Sequence, residues 1–332
     1  MNKTVCIPFP TNPKERELLI QPLLGLSVIE RLIFTLRKEG ADTVFVTFNE
    51  ESLDDVAKIK TLVEKAGGVL ETSQKLPLRL QKGEISTISP LAWFPIQTSE
   101  KRKETEEKLL RSLIKPTEGF MSRHFERKIS IAITRRIINT SITPNLMSAI
   151  SIGIGGVGAI GFVSIEWIWH VIGALFFLVH SIMDGCDGEI ARLKFQHSKR
   201  GAWIDFWGDN IVHIAVFSCM AIGLYRGGMA PWILGAGVLA TVGTLLSALL
   251  IFTQTILPQG TFTKATGDRQ IGDKKARVFS KIADSLGNRD FIYLVILLAI
   301  VGKLHWFLPL VAVGSPLYAI MLVYVYLKSR RK

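Results

Sequence analysis

The sequence has little cysteine. Its three thiols, Cys6, Cys186 and Cys219, are scattered through 332 residues. They build no disulfide framework and show no paired spacing for a metal, so nothing in them points to an oxidising compartment. The opening MNKTVCIPFPTN lacks the long apolar stretch of a secretory signal and is expected not to be one. Charge is scarce in one region only. Residues 1–136 hold 41 of the 68 Asp, Glu, Lys and Arg residues, and residues 137–332 hold 27. Two regions so different in charge exclude one uniform soluble domain. The 48% apolar content excludes a disordered or fibrous chain.

What the second region has instead is length without charge. A helix needs about 20 apolar residues to cross a bilayer. Runs of that kind occur at 145–165, 167–183, 210–225, 231–257, 291–302 (with the polar turn 284–290 included) and 305–327. Of the 17 Lys and Arg beyond residue 136, only Arg226 and Lys303 fall between the third and fourth or the fifth and sixth runs. The other 15 fall in the alternate loops or the tail, and Arg135 and Arg136 precede the first run. The positive-inside bias then predicts six transmembrane helices with both termini cytoplasmic, in a cell membrane. A large soluble helical core is the alternative, and it does not explain the alternating flanks. Gly153, Gly155, Gly156, Gly158 and Gly161 crowd the first run. Inside a span they are expected to serve close helix packing, not phosphate binding.

The membrane region has ten acidic residues. Four of them, Asp184, Asp187, Asp205 and Asp209, fall within 26 positions at the ends of the second and third runs. Ionisable groups there are costly and point to function. Spacings of three and four put each pair on one helix face, and the loop 192–200 lets the two helices run antiparallel. Four uncompensated carboxylates repel one another. Divalent cations that prefer oxygen, Mg2+ or Mn2+, relieve that repulsion. Gly188 and Ala191 leave a floor beside the acids, and Arg192 offers a fork for phosphate. Together these point to metal-assisted phosphoryl transfer. A helix-end ion-pair network with Arg192, Lys194 and Arg200 is the alternative.

The stretch Asp184-Gly-Cys-Asp187-Gly188-Glu-Ile-Ala191-Arg192, then eight residues, then Gly201-Ala-Trp-Ile-Asp205-Phe-Trp-Gly-Asp209 resembles the motif of the CDP-alcohol phosphotransferase family. The resemblance covers about residues 115–330. It implies six membrane helices, a homodimer, and transfer of a substituted phosphate from a CDP-alcohol to an acceptor hydroxyl with release of CMP. It further implies that Asp184, Asp187 and Asp205 hold the metal, with Asp209 contributing to metal binding and acting as general base. Gly188, Ala191, Arg192, Gly201 and Asn145 would contact the CDP portion. Lys115-Pro-Thr-Glu-Gly119-Phe-Met-Ser122-Arg123, with Asn288-Arg289-Asp290, resembles the inositol-phosphate-using branch, especially di-myo-inositol-phosphate-phosphate synthases. That implies an acceptor-phosphate pocket built from Lys115, Arg123, Arg127 and Arg289. Read from the residues alone, 119–140 is an interfacial helix with Phe120, Phe125, Ile129, Ile133 and Ile137 on an apolar face and bases that meet anionic headgroups. The nearest alternative is a phospholipid synthase using CDP-diacylglycerol or CDP-archaeol with glycerol, serine or inositol phosphate. A cation transporter is the alternative of another class. It calls for mid-membrane acids or inverted repeats, and neither is present in the sequence. His124, His180 and His213 show no metal spacing and are read as structural. The formal charge of +12 is read as orientation and phosphate attraction, with no nucleic acid as partner.

The first region alternates strands and helices: 4–9, 28–39, 43–48, 53–65 and 68–71. This predicts a small cytoplasmic α/β domain of parallel-sheet type, residues 1–97, ahead of the all-α polytopic domain at 115–332. Residues 98–114, dense in Lys and Glu, are expected to form a solvated helical linker. Gln21-Pro22 through Glu30-Arg31 resembles the stretch after the glycine loop of nucleotidylyltransferases. The loop itself is replaced by Pro8-Phe-Pro-Thr-Asn-Pro13, and prolines offer no N–H to a phosphate. A degenerate domain without that chemistry is expected.

Overall fold

The computed structural model describes residues 4–10, 12–48, 56–72, 85–87, 94–114, 118–257, 278, 280, 282–283, 287 and 289–329. Backbone contacts divide the chain into two compact units. The first is Met1–Leu113 with Ile138–Ser141 and Leu193–Phe195. The second is Ile114–Ile137, Ile142–Arg192 and Gln196–Lys332.

In the first unit β1 (Thr4–Pro8) leads to α1 (Pro13–Ile20). A short antiparallel pair follows, β2 (Pro22–Leu23) and β3 (Leu26–Ser27), then α2 (Val28–Lys38), β4 (Thr43–Phe48), α3 (Val56–Lys65), β5 (Val69–Thr72), β6 (Ile85–Thr87) and α4 (Ser99–Arg111). The sheet is parallel throughout, in the order β5-β4-β1-β6. Its core joins Val5, Ile7, Val44 and Val46 of the strands to Ile29, Leu32, Ile33 and Leu36 of α2. Ser27 and Glu30 cap α2 reciprocally, which fixes its start beside the sheet.

Helix α1 was not expected from the sequence. It stands where the glycine loop would be: Asn12 caps it and Pro13 opens it, a position where the missing N–H costs nothing. Two residues of the nucleotidylyltransferase-like stretch turn out to be architectural. Glu30 is the capping partner. Arg31, 2% exposed, donates to the carbonyls of Leu23 and Leu24 and so ties down the β2–β3 turn. Burial, partly offset by Glu30, lowers the Arg31 pKa to about 10. Helix α4 lies in this unit. Arg102 reaches the Gln21 side chain at 2.8 Å, Thr105 bonds the Pro95 carbonyl, and Leu109 packs against the core.

The second unit is helical. A wide π-type turn at Ser122–Glu126 runs into α5 (Arg127–Ile137). Then come α6 (Pro144–Gly161), α7 (Trp167–Leu193), α8 (Lys199–Arg226), α9 (Trp232–Ile251) with a π-type extension Phe252–Ile256, α10 (Phe291–Ile300), a 3-10 turn Leu304–Trp306, and α11 (Phe307–Ser329). Five helical segments are long and apolar enough to cross a membrane: Pro144–Gly161, Trp167–Leu193, Lys199–Arg226, Trp232–Ile256 and Leu304–Lys328. The expected count of six is not reached among the described residues, because α10 has only ten residues, about 15 Å at 1.5 Å per residue. The acid-bearing helices α7 and α8 are longer than their apolar runs, with 27 and 28 residues. At about 40 Å each they exceed a hydrocarbon core of about 30 Å. Three of the five glycines expected to serve packing do so: a Cβ would meet Val212 at 2.5 Å from Gly155, Phe176 at 2.8 Å from Gly158 and the Trp169 carbonyl at 2.9 Å from Gly161, whereas one on Gly153 or Gly156 would meet nothing within 4 Å.

The segment before α6 keeps its apolar face outward. Phe120, Phe125 and Ile129 are exposed, while Glu126, Ser130 and Thr134 are buried. The face packed on the bundle is the polar one, because its partners are polar. Ser181 and Tyr293 bond the Glu126 carboxylate, and Ser130 and Thr134 bond Glu189.

Candidate active site

Helix α7 carries Asp184 and Asp187 on one face, and α8 carries Asp205 and Asp209. Asp184, Asp187 and Asp205 each offer a carboxylate oxygen, and the three oxygens lie within 4.8 Å of one another. Asp184 and Asp187 are each 5% exposed. Ser148 of α6 donates a short hydrogen bond to Asp187 Oδ2, which fixes that side chain. Hard, anionic oxygens at this spacing are the donor set that Mg2+ and Mn2+ prefer.

Asp209, one helical turn beyond Asp205, sits in a different environment. Its Oδ1 is 3.5 Å from His180 Nε2, 3.9 Å from His213 Nε2 and 3.6 Å from Arg289 Nη1. That Oδ1 is buried and accepts no hydrogen bond among the described residues, although the side chain as a whole is 18% exposed. His180 Nδ1 lies 2.9 Å from the Ser151 carbonyl. A carbonyl only accepts, so Nδ1 carries the proton and Nε2 faces Asp209. Arg289 also pairs with Asp184 Oδ2 at 2.5 Å.

The residues expected at the CDP portion fall in two local groups. A Cβ on Gly188 would come within 3.2 Å of the Arg192 guanidinium, with Ala191 on the same stretch of α7. A Cβ on Gly201 would come within 2.9 Å of Ser198 Oγ and 3.1 Å of Asn145 Oδ1. Of the four bases expected at the acceptor, Arg289 alone is seen against the carboxylates. Arg127 is engaged elsewhere: it pairs with Glu118 and Glu189, at 3.0 Å each. Arg123 donates to the Glu118 carbonyl at 3.1 Å. Lys115 lies outside the described residues. His180 and His213, read from the sequence as structural, flank the one aspartate that stands apart from the carboxylate trio. The available signal was their spacing, four before Asp184 and four after Asp209, which places each on an acid-bearing face.

A cavity of about 420 Å³ opens beside Asp205, Asp209 and Arg289. Its polar end is completed by Asn210 and His213. Phe217, Phe307 and Leu310 also line it, together with Thr244, Ser247, Ser315 and Tyr318.

Asp290 joins the two stretches that resemble the inositol-phosphate branch. Its carboxylate accepts from the Phe120 N–H at 3.0 Å, and a Cβ on Gly119 would lie 2.5 Å from Asp290 Oδ1. Gly119→Ala is therefore expected to push Asp290, and Arg289 with it, off position. Overpacking of this kind destabilises by about 1–3 kcal/mol. Thermal unfolding of the variant in detergent measures it, and an unchanged midpoint would remove the steric reason for the glycine.

Comparison with known proteins gives a consistent family. Residues 141–271 match the model of the CDP-alcohol phosphatidyltransferase family. A protein of Aquifex aeolicus described as a bifunctional IPC transferase and DIPP synthase is 24% identical over 295 residues, 88% of this chain and 62% of that protein. One of the same description from Archaeoglobus fulgidus is 30% identical over 183 residues, 54% of this chain and 35% of that protein. The chain thus spans less than two thirds of the length of either relative. Among solved structures, a Mycobacterium tuberculosis phosphatidylinositol phosphate synthase with CDP-DAG bound is 16% identical, with a TM-score of 0.44, over 62% of this chain and 98% of that one. The match over 141–271 contains the whole aspartate cluster, so the part of the chain that resembles a CDP-alcohol phosphatidyltransferase domain is the part that carries the site.

Proposed function

We propose that the chain is an integral membrane transferase that moves a substituted phosphate group from a CDP-alcohol to an acceptor hydroxyl, releases CMP, and depends on Mg2+ or Mn2+. The observation that carries this is the convergence of Asp184, Asp187 and Asp205, with Asp209 beside them and two histidines and an arginine within 4 Å of its Oδ1. The alternating basic loops support six crossings, cytoplasmic termini and a cytoplasmic site. In a homodimer, each protomer would carry its own carboxylate cluster.

The residues present suit a divalent cation. Asp184, Asp187 and Asp205 would hold it, and bound there it would draw negative charge from the pyrophosphate. The chain's own groups supply the rest. Gly188, Ala191 and Gly201 leave room for the CDP portion, and Arg192 and Asn145 offer it polar contacts. Asp209 accepts the proton of the acceptor hydroxyl, and His180 and His213 orient its carboxylate. Arg289 steadies negative charge at the acceptor end. Lys115 and Arg123 remain candidate acceptor contacts.

The names of the relatives favour an inositol-phosphate acceptor, and a phosphate on the acceptor would suit Arg289. One observation favours a second reading, in which a substrate carries a hydrocarbon chain, as in CDP-diacylglycerol or CDP-archaeol chemistry. The cavity beside Asp209 has Phe217, Phe307 and Leu310 in its lining, a surface that suits a hydrocarbon chain, next to the hydroxyl-bearing Thr244, Ser247, Ser315 and Tyr318. The test is CMP release by purified protein with Mn2+ from CDP-inositol or CDP-diacylglycerol, with inositol phosphate, glycerol phosphate or serine as acceptor. CMP release with one pair identifies the branch. No release from any pair would overturn the transferase reading.

A further inference from the structure

The aspartate motif contains a glycine that its pattern does not require. Gly185 lies between Asp184 and Asp187, and a Cβ there would fall 2.5 Å from Arg127 Nη1. That nitrogen donates to the Gly185 carbonyl at 3.2 Å and to Glu189 Oε1 at 3.0 Å. The Nη2 of the same guanidinium pairs with Glu118 at 3.0 Å. Glu189 is fully buried. Its other contacts are the hydroxyls of Ser130 at 2.5 Å and Thr134 at 2.6 Å. Cys186 Sγ reaches the Ser130 carbonyl at 3.5 Å. One guanidinium and one buried carboxylate therefore clamp the back of the helical turn whose front presents Asp184 and Asp187.

We infer that Arg127 and Glu189 form a positioning pair that braces the Asp184–Asp187 turn of α7 against α5 and so sets the spacing of the metal-holding carboxylates. The inference rests on the proposed metal-dependent transfer and extends it to residues that touch neither substrate. A buried carboxylate without a cation is strongly unfavourable, so Glu189 and Arg127 need each other. A guanidinium serves better than an ammonium because its planar fork meets two carboxylates and a carbonyl at fixed angles. Removing either partner frees the turn without removing a ligand. Arg127 is thereby placed behind the site and not in the acceptor pocket.

The experiment compares wild type, Glu189→Gln, Arg127→Lys and the milder Thr134→Val, each as the full chain in lipid nanodiscs. Mn2+ is titrated without substrate and followed by its electron paramagnetic resonance. Labelling of Cys186 by a maleimide is followed by mass spectrometry. The acceptor KM and kcat are measured separately. Glu189→Gln and Arg127→Lys are expected to weaken Mn2+ binding by about 10- to 100-fold, the range for groups that support metal ligands. They are also expected to expose Cys186 to label and to lower kcat, with the acceptor KM unmoved. Thr134→Val is expected to show the same pattern more weakly, and it keeps the test open if the other variants fail to fold. A selective rise in acceptor KM for Arg127→Lys, with Mn2+ binding intact, would overturn the inference and return Arg127 to the acceptor. So would Mn2+ binding and Cys186 protection equal to wild type in every folded variant. A wild type that itself binds no Mn2+ and releases no CMP would instead overturn the transferase reading.

Discussion

Asp209→Asn is expected to lower CMP release by about two to four orders of magnitude, the range for losing a general base. Asparagine keeps the size of the side chain but accepts no proton. The surroundings say which parameters move. Asp209 stands apart from the trio that Asp184, Asp187 and Asp205 form, so Mn2+ binding without substrate is expected to change far less than turnover. The substitution also leaves Asp184 as the close ion-pair partner of Arg289 among the described residues. Quantifying CMP over a fixed time, with Mn2+ titrated in parallel, checks both statements. Turnover close to wild type would remove the base assignment. Loss of Mn2+ binding equal to that of a trio variant would place Asp209 among the ligands.

Asp187→Asn is expected to do the opposite, abolishing substrate-free Mn2+ binding and turnover together. Of the trio, Asp187 is the member fixed by Ser148. It is also nearly buried, so little solvent screens its charge. Turnover is expected to fall at least 10³-fold, as when an interaction that stabilises transition-state charge is removed. A chelator added to wild type should give the same loss, and restored Mn2+ should reverse it in wild type alone. Ser148→Ala is expected to fall between the two, with Mn2+ affinity about tenfold weaker. Full activity of wild type in excess chelator would rule out metal dependence.

The fold was legible where period and punctuation agree. Helix α2, expected over 28–39, appears at Val28–Lys38, with the Ser27…Glu30 cap as a further finding of the structure. The first four apolar runs appear as helices, but α7 and α8 extend well past them, because Gly185, Ala191 and Gly201 do not break a helix that packed neighbours hold in place. Hydropathy registers where lipid ends, not where hydrogen bonding ends. The aspartates were legible because isolated acids at three and four spacing in an apolar helix admit few explanations. The pairing of Arg127 was hidden for a physical reason. A base on an amphipathic segment looks free for a ligand, and its carboxylate partner Glu189 is 62 residues away. Helix α1 was hidden because Pro8 to Pro13 reads as a loop, although a proline in the first turn after Asn12 is an ordinary helix start.

The segment from Phe120 to Ile137 touches two surroundings by two different forces. Toward the bundle it is held by directed bonds to Glu126 and Glu189. Away from it, Phe120, Phe125 and Ile129 offer only apolar area. Apolar exposure and hydrogen bonding to the aspartate-bearing helix α7 are thus written on separate sides of one element. The outer side can vary in sequence without touching the inner hydrogen bonds, and the groups around the aspartates then stay as they are.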